Sequence, residues 1–232
     1  MFDINRHRFF LVQLLKDIYN DIELANHLGL KGGTALMFFY NLPRFSIDLD
    51  FDLLNNEMEN TVYDKVRNII LKYGKIHDEA KKFFGPLIVL DYGPGERKLK
   101  VEISKRRFDN TYEIKNLLGI SIKVMAIQDM FAHKLCALLD RDVIIARDVF
   151  DCWFFMNNHT PVNHNIIETR MNAPYKEYME KCINQVEKLD NKRLLQELGE
   201  LMDQERKNFV KTKLKQETLH LLAFYKDYPI LS

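Results

Sequence analysis

A chain of 232 residues with net charge +1, 47% hydrophobic and 29% charged residues, is long enough for one or two domains with a sizeable core and too apolar to be disordered. The near-zero charge excludes a molecule that holds nucleic acid through its overall field, though not one with a local basic patch. The cysteines Cys136, Cys152 and Cys182 are odd in number and far apart, with no CxxC or zinc spacing, which fits a reduced, cytoplasmic protein.

In chain order, Phe9, Leu14, Leu15, Ile18, Tyr19 and Ile22 repeat at helical spacing, so residues 5–27 are expected to form one amphipathic helix. The stretch "FFLVQLL" within it is followed by Lys16 and Asp17 and has no small-residue cleavage site, so it is a poor signal peptide. No apolar run approaches the length of a membrane span. Leu28–Lys31 is a short extended piece that runs into Gly32-Gly33, and Thr34 is placed to cap a helix ending near Pro43. "SIDLDFDLL" alternates strictly, with Ile47, Leu49, Phe51 and Leu53 on one face and Ser46, Asp48, Asp50 and Asp52 on the other, as in a strand. Residues 57–73 form a second amphipathic helix, "PLIVLDY" and "KLKVEIS" flank "GPGE" as a β-hairpin, and "ISIKVM" is one more short strand. Beyond about residue 125 the pattern is helical throughout. The expected organisation is an α+β domain over 1–125 and a helical part over 126–232, joined closely enough to share a cleft.

Asp48 and Asp50 lie two apart on a strand, so their carboxylates share a face and repel. A divalent cation relieves that repulsion, and hard oxygen ligands suit Mg²⁺. The competing reading is the wet edge of a strand. Gly32-Gly33-Thr34, at a strand-to-helix junction, lets backbone N–H groups approach a phosphate, or is simply a tight turn. Glu102 alternates with Val101 and Ile103. If its strand neighbours the first, three carboxylates can hold two metal ions; otherwise Glu102 pairs with a lysine such as Lys100.

These residues resemble the signature of the AbiEii-type nucleotidyltransferases, toxins of type IV toxin–antitoxin and abortive-infection systems within the DNA polymerase β-like superfamily. The first motif matches Gly32, Gly33, Thr34, Arg44, Ser46, Asp48 and Asp50, with threonine at position 34 where relatives often carry serine. The second matches Lys100-Val101-Glu102, the third Lys134 in "MFAHKLCALLDR", and the fourth Arg147, Asp148 and Asp151. The resemblance spans Lys31 to Asp151 and implies a polymerase β-like α+β fold, a mixed sheet flanked by helices, with a helical C-terminal part.

The later motifs also have a physical reading of their own. Lys134 falls among Met130, Phe131, Leu135 and Leu138, where an ammonium needs an anion or a route to water. Asp148 and Asp151 share a face of an aromatic-rich helix, with Lys134, Arg141 and Arg147 available as partners. His133 reads as structural, and the basic run 205–215 as a solvated helix face or an RNA contact.

The resemblance implies an EC 2.7.7-type transfer of a nucleoside monophosphate from an NTP to an acceptor, which is tRNA, another RNA or a protein. Asp48, Asp50 and Glu102 would hold two Mg²⁺ ions. Gly32, Gly33, Thr34 and Ser46 would contact the nucleotide, and Lys134, Arg44 and Arg147 would balance the triphosphate. Asp148 is counted with the catalytic set, and a cognate antitoxin is the implied partner. The competing expectation is a nucleotide-binding or protein-interaction module of the same fold without turnover.

Overall fold

Helix α1 (Ile4–Asn20) begins where the Asp3 carboxylate accepts the Arg6 N–H at 3.0 Å, and its stripe of Leu11, Leu14, Leu15 and Ile18 is fully buried. The structure, a computed structural model, describes residues 3–141 and 143–230. The single helix expected over 5–27 is broken. Asp21 adopts extended backbone, and its carboxylate accepts the N–H groups of Glu23 and Leu24, capping a second helix, α2 (Ile22–His27). A short acceptor side chain competes locally with helix continuation, and apolar periodicity does not register that.

Strand β1 (Leu28–Lys31) leads directly into α3 (Gly32–Phe39). Thr34 is therefore inside the first turn and is not the expected cap; its hydroxyl donates to the Asp48 carbonyl. Strand β2 (Leu49–Leu53) is shorter than expected, and Ser46–Asp48 run up to it outside the ladder. A 3₁₀ turn at Asn56–Met58 precedes α4 (Glu59–Leu71). Then come β3 (Lys75–Lys82), β4 (Gly85–Asp91), β5 (Leu99–Ser104), β6 (Tyr112–Leu117) and β7 (Ile120–Met125).

Among the described residues these strands make one mixed seven-stranded sheet in the order β3-β4-β5-β2-β1-β7-β6, so the fold is α+β. The expected β4–β5 hairpin is present, antiparallel from Leu87↔Glu102 to Leu90↔Leu99. Strands β3 and β6 were not expected. Both are edge strands with largely exposed side chains, so neither carries an apolar alternation to read. β2 lies mid-sheet, antiparallel to β1 and parallel to β5. Helices α1 and α4 pack on each other and on β7 and β4, respectively.

The chain divides into two compact units. The first holds the chain up to Asn41, Phe45–Arg107 and Tyr112–Met125, and contains the whole sheet. The second holds Leu42–Arg44, Phe108–Thr111 and the chain from Ala126 onward. It is built from α5 (Ile127–Ala137), α6 (Ala146–Asn157), α7 (His164–Met171), α8 (Tyr175–Val186), α9 (Asn191–Leu198), α10 (Gln204–Thr212) and α11 (Leu214–Asp227). Its core includes Phe131 stacked on Phe155 at 4.9 Å, with Tyr225 edge-on to Phe131 at 5.6 Å. The three cysteines are buried free thiols, and burial pushes Cys136 and Cys182 up to about 12. Among the described residues no helix is long and apolar enough to cross a membrane.

In the first unit, His7 is fully buried. Its Nε2 lies 2.8 Å from the Ile47 carbonyl, which can only accept, so Nε2 carries the proton and Nδ1 accepts the Tyr92 hydroxyl at 2.6 Å. Burial holds the imidazole below its ordinary value of 6.5, against the opposing pull of the Ile47 carbonyl and Asp48. The unfolded chain therefore takes up a proton first as pH falls, and the stability that neutral His7 contributes above pH 6.5 is lost as pH drops below it. His7→Gln is expected to lower the melting temperature at pH 7.5. The gap to the wild-type protein should narrow steadily between about pH 6.5 and pH 5. A gap independent of pH in a melting series would rule this out.

Candidate active site

In the first unit β2 sets Asp50 opposite Lys31 of β1 on one side and Glu102 of β5 on the other. Because the β2–β5 pairing is parallel and in register, the Asp50 and Glu102 side chains leave the sheet on the same face. Asp48 sits just before the strand. One of its oxygens accepts the Lys100 backbone N–H at 3.3 Å, and the other is 3.9 Å from Lys100 Nζ. The same ammonium reaches Glu102 at 2.9 Å. The alternative reading of Glu102, paired with Lys100, thus describes its contact.

The electrostatics follow from that geometry. Burial pushes the Asp50 carboxyl above the usual carboxylate range; Lys100 opposes the shift, and the negative Asp48 and Glu102 add to it. Burial would also raise Glu102, but the hydrogen bond and charge of Lys100 outweigh it and hold Glu102 low. Burial works against the Lys100 charge, yet Asp50, Glu102 and Asp48 keep its ammonium more firmly protonated than usual.

Gly32 completes this cluster. It has φ +75°, and a Cβ there would lie 2.7 Å from Asp50 Oδ2, so glycine is required by both backbone and contact. Gly33 and Thr34 are buried in the first turn of α3, and no described side chain caps that helix. Ser46 is buried, with its N–H directed at the Met37 sulfur. Asp52, the third strand acid, has a different role: it is buried, ion-paired to Lys31 at 2.5 Å and hydrogen-bonded by the Tyr112 hydroxyl at 2.7 Å. Gly29 makes room for that tyrosine, since a Cβ there would come within 2.3 Å of its ring.

The remaining candidates gather in the second unit. Asp151 receives Arg44 Nε and Nη2, each at 2.6 Å, in a fully buried bidentate pair. Lys134 Nζ lies 2.8 Å from both Asp148 and Asp151, and Arg141 approaches the other Asp148 oxygen at 3.7 Å. Burial opposes charge at each site, but the network wins: Asp151 is held low by Arg44 and Lys134, and Lys134 is held high by Asp148 and Asp151. Arg147 is half-buried on α6. His133 is structural, between Asn110 at 2.7 Å and Arg170 at 2.8 Å. In the basic run, Arg206 pairs with Asp203 and Lys215 donates to the Leu189 carbonyl.

Two lysines matter more than the sequence suggested. Lys31 was read only as a strand end, and Lys100 only as a motif residue and surface partner. The available signal was the spacing of Lys100 and Glu102, two apart on a strand and so on one face. Among the described residues no group of three or more His, Cys, Asp or Glu side chains is drawn together as a metal site. The donor chemistry nevertheless fits a hard divalent cation: Asp48 and Asp50 are carboxylates two positions apart, Asp50 resists ionising beside its neighbours, and Gly32 carries no Cβ to collide with Asp50 Oδ2.

The family described as "Nucleotidyl transferase AbiEii toxin, Type IV TA system" matches residues 13–224. Two solved structures from Helicobacter pylori share the fold. JHP933 is 22% identical, with a TM-score of 0.52 over 98% of this chain and 97% of that one. A second chain, provisionally described as a nucleotidyltransferase, is 24% identical, with a TM-score of 0.53 over 94% and 95%. No curated protein matches the chain.

Gly32→Ala is expected to destabilise the protein by about 1–2 kcal/mol, the penalty for a side chain in left-handed backbone, plus the contact with Asp50. Part of that loss should vanish in an Asp50→Ala background. Strict additivity of the two substitutions in denaturant melts would show that the contact does not matter. Lys134→Met leaves buried Asp148 without its closest cation and is expected to cost about 3–5 kcal/mol, largely restored by adding Asp148→Asn. A nucleotide-binding lysine would behave oppositely, with weakened NTP affinity and little change in melting temperature.

Proposed function

The chain belongs to the family of AbiEii nucleotidyl transferase toxins of type IV toxin–antitoxin systems, and on that premise we propose that it moves a nucleoside monophosphate from an NTP to an acceptor hydroxyl with Mg²⁺. The observation that carries this reading is the in-register placement of Asp50 against Glu102, with Asp48 just before the strand and Gly32 in close approach to Asp50. Asp48 and Asp50 would hold Mg²⁺, with Glu102 joining once Lys100 releases it. Bound there, the metal would supply Lewis-acid stabilisation of the charge that develops at the reacting phosphate.

The rest is the work of this chain's own groups. The N–H groups of Gly32, Gly33 and Thr34, at the uncapped start of α3, would bind the β- and γ-phosphates, favoured by the helix dipole. The acceptor oxygen bonds to the α-phosphorus as the bond to the bridging oxygen breaks, and pyrophosphate leaves. Glu102, once released by Lys100, would also be the group that takes the acceptor proton. The acceptor is an RNA, tRNA included, or a protein, and a cognate antitoxin would hold the activity in check.

The test is incubation with each labelled NTP, Mg²⁺ and total RNA or protein. Asp48→Asn and Asp50→Asn should each abolish labelling while leaving the fold intact. Asp50→Asn should also raise the melting temperature of the metal-free protein at neutral pH, because it removes a buried charge set against two others. Mg²⁺ should stabilise the wild-type protein and not the double variant. Labelling by the double variant at wild-type rate would sink the assignment.

A further inference from the structure

The turn between β3 and β4 is made of Phe83 and Phe84, 87% and 55% exposed, with ring centroids 5.0 Å apart in an edge-to-face pair. A two-residue hairpin turn ordinarily takes small polar or glycine-containing pairs. The chain places two large rings there instead, and the surrounding structure holds them. Gly85, at φ +122°, approaches β5 so closely that a Cβ would lie 2.0 Å from the Ile103 carbonyl oxygen. The Phe84 carbonyl accepts the Lys105 N–H at 2.8 Å, which ties the tip to the segment leaving β5. The Arg106 guanidinium then lies 5.1 Å from the centre of the Phe84 ring.

The rings stand among cations. Lys81, Lys82, Arg106 and Arg107 are exposed, and Lys105, half-buried, pairs with Glu59. In a chain of net charge +1 this is a sharp local excess of positive charge. Rings that offer π-faces, interleaved with guanidinium and ammonium groups, are the pairing that single-stranded nucleic acid uses: bases stack and phosphates pair. The segment that carries these cations leaves β5 just past Glu102: Arg106 lies four positions on, a span of roughly 13 Å if the chain stays extended.

We infer that the β3–β4 tip, Phe83 and Phe84 with Lys82, Arg106 and Arg107, is a docking surface for single-stranded nucleic acid, the acceptor strand of the proposed transfer. The surface rests on that reading only for the word acceptor; binding itself requires no turnover. An acidic protein would match the charge but gives no reason for two exposed rings. An anionic membrane would match both charge and rings but has no use for a guanidinium held over one ring, and the vesicle arm of the test separates the two.

The test uses the full chain and a fluorescein-labelled single-stranded RNA dodecamer, read by anisotropy. Phe83→Ala with Phe84→Ala should weaken binding by tenfold or more, on the scale of about one stacked base per ring. Arg106→Ala should weaken it less and flatten its salt dependence, since one phosphate contact is lost. Unchanged circular dichroism and melting temperature would show that the variants fold. A duplex of the same length, its bases already stacked, should bind the wild-type protein more weakly. Asp48→Asn with Asp50→Asn should bind the dodecamer as the wild-type protein does, so a chain without transfer activity would leave the docking surface standing. RNA affinity unchanged in the double phenylalanine variant would overturn the inference, as would loss of binding to phosphatidylserine vesicles alone.

Discussion

Two carboxylates on one short strand in the middle of a sheet, with a third just before it, repel one another, and the repulsion grows as the sheet excludes water. The two flanking strands each supply a lysine against it. Lys31 of β1 pairs with Asp52, and Lys100 of β5 pairs with Glu102 while standing near Asp48. The pairing order of the sheet is therefore also a pairing order of charges. An antiparallel neighbour brings one cation, a parallel neighbour brings the other together with a fourth acid, and Asp50 lies between them. The close ion pairs around it go to other acids; Lys100 still opposes the cost of burying Asp50, but burial and the negative Asp48 and Glu102 prevail and push its carboxyl up.

The second unit solves a similar problem in a closed way. Asp151 and Asp148 are buried, and Arg44 and Lys134 reach them with short contacts, although one Asp148 oxygen keeps no hydrogen bond among the described residues, with Arg141 at 3.7 Å. Desolvating such ions is expensive, and only near-ideal geometry offsets it, so removing one partner is far more damaging than the pair is stabilising. The consequence for the chain is topological. Arg44 comes from the short segment before β2, and its bidentate pair with Asp151 lies within the second unit although Asn41 and Phe45, on either side of Leu42–Arg44, belong to the first.

Much of the sheet was legible because its central strands have one dry face. Leu49, Phe51 and Leu53 alternate with acids, and Val101 and Ile103 alternate with Lys100 and Glu102, so strand identity and the common face of Asp50 and Glu102 could both be read. The edge strands could not, since "KIHDEAKK" and "YEIKNL" are wet on most sides and their pairing partner, not their pattern, makes them strands. The break at Asp21 was hidden by an apolar stripe that continues across it. At the site, Gly32, Asp48, Asp50 and Glu102 could be picked out by residue type and spacing. The β2–β5 pairing that gives them a common place could only be conditional, because nothing local encodes contact between strands some fifty residues apart. For the same reason the sequence left Lys134 open between a phosphate and a carboxylate partner, and the structure sets it against Asp148 and Asp151 one helix away.

A net charge of +1 conceals how thoroughly the charges are sorted. On β2 and β5 the acids outnumber the cations that face them, which favours a bound cation or a proton. Past the end of β5 the balance reverses within three residues, with Lys105, Arg106 and Arg107 following Ser104. The sign of the charge thus changes between β5 and the residues that follow it, so a cation and an anion are favoured at different points of one continuous segment.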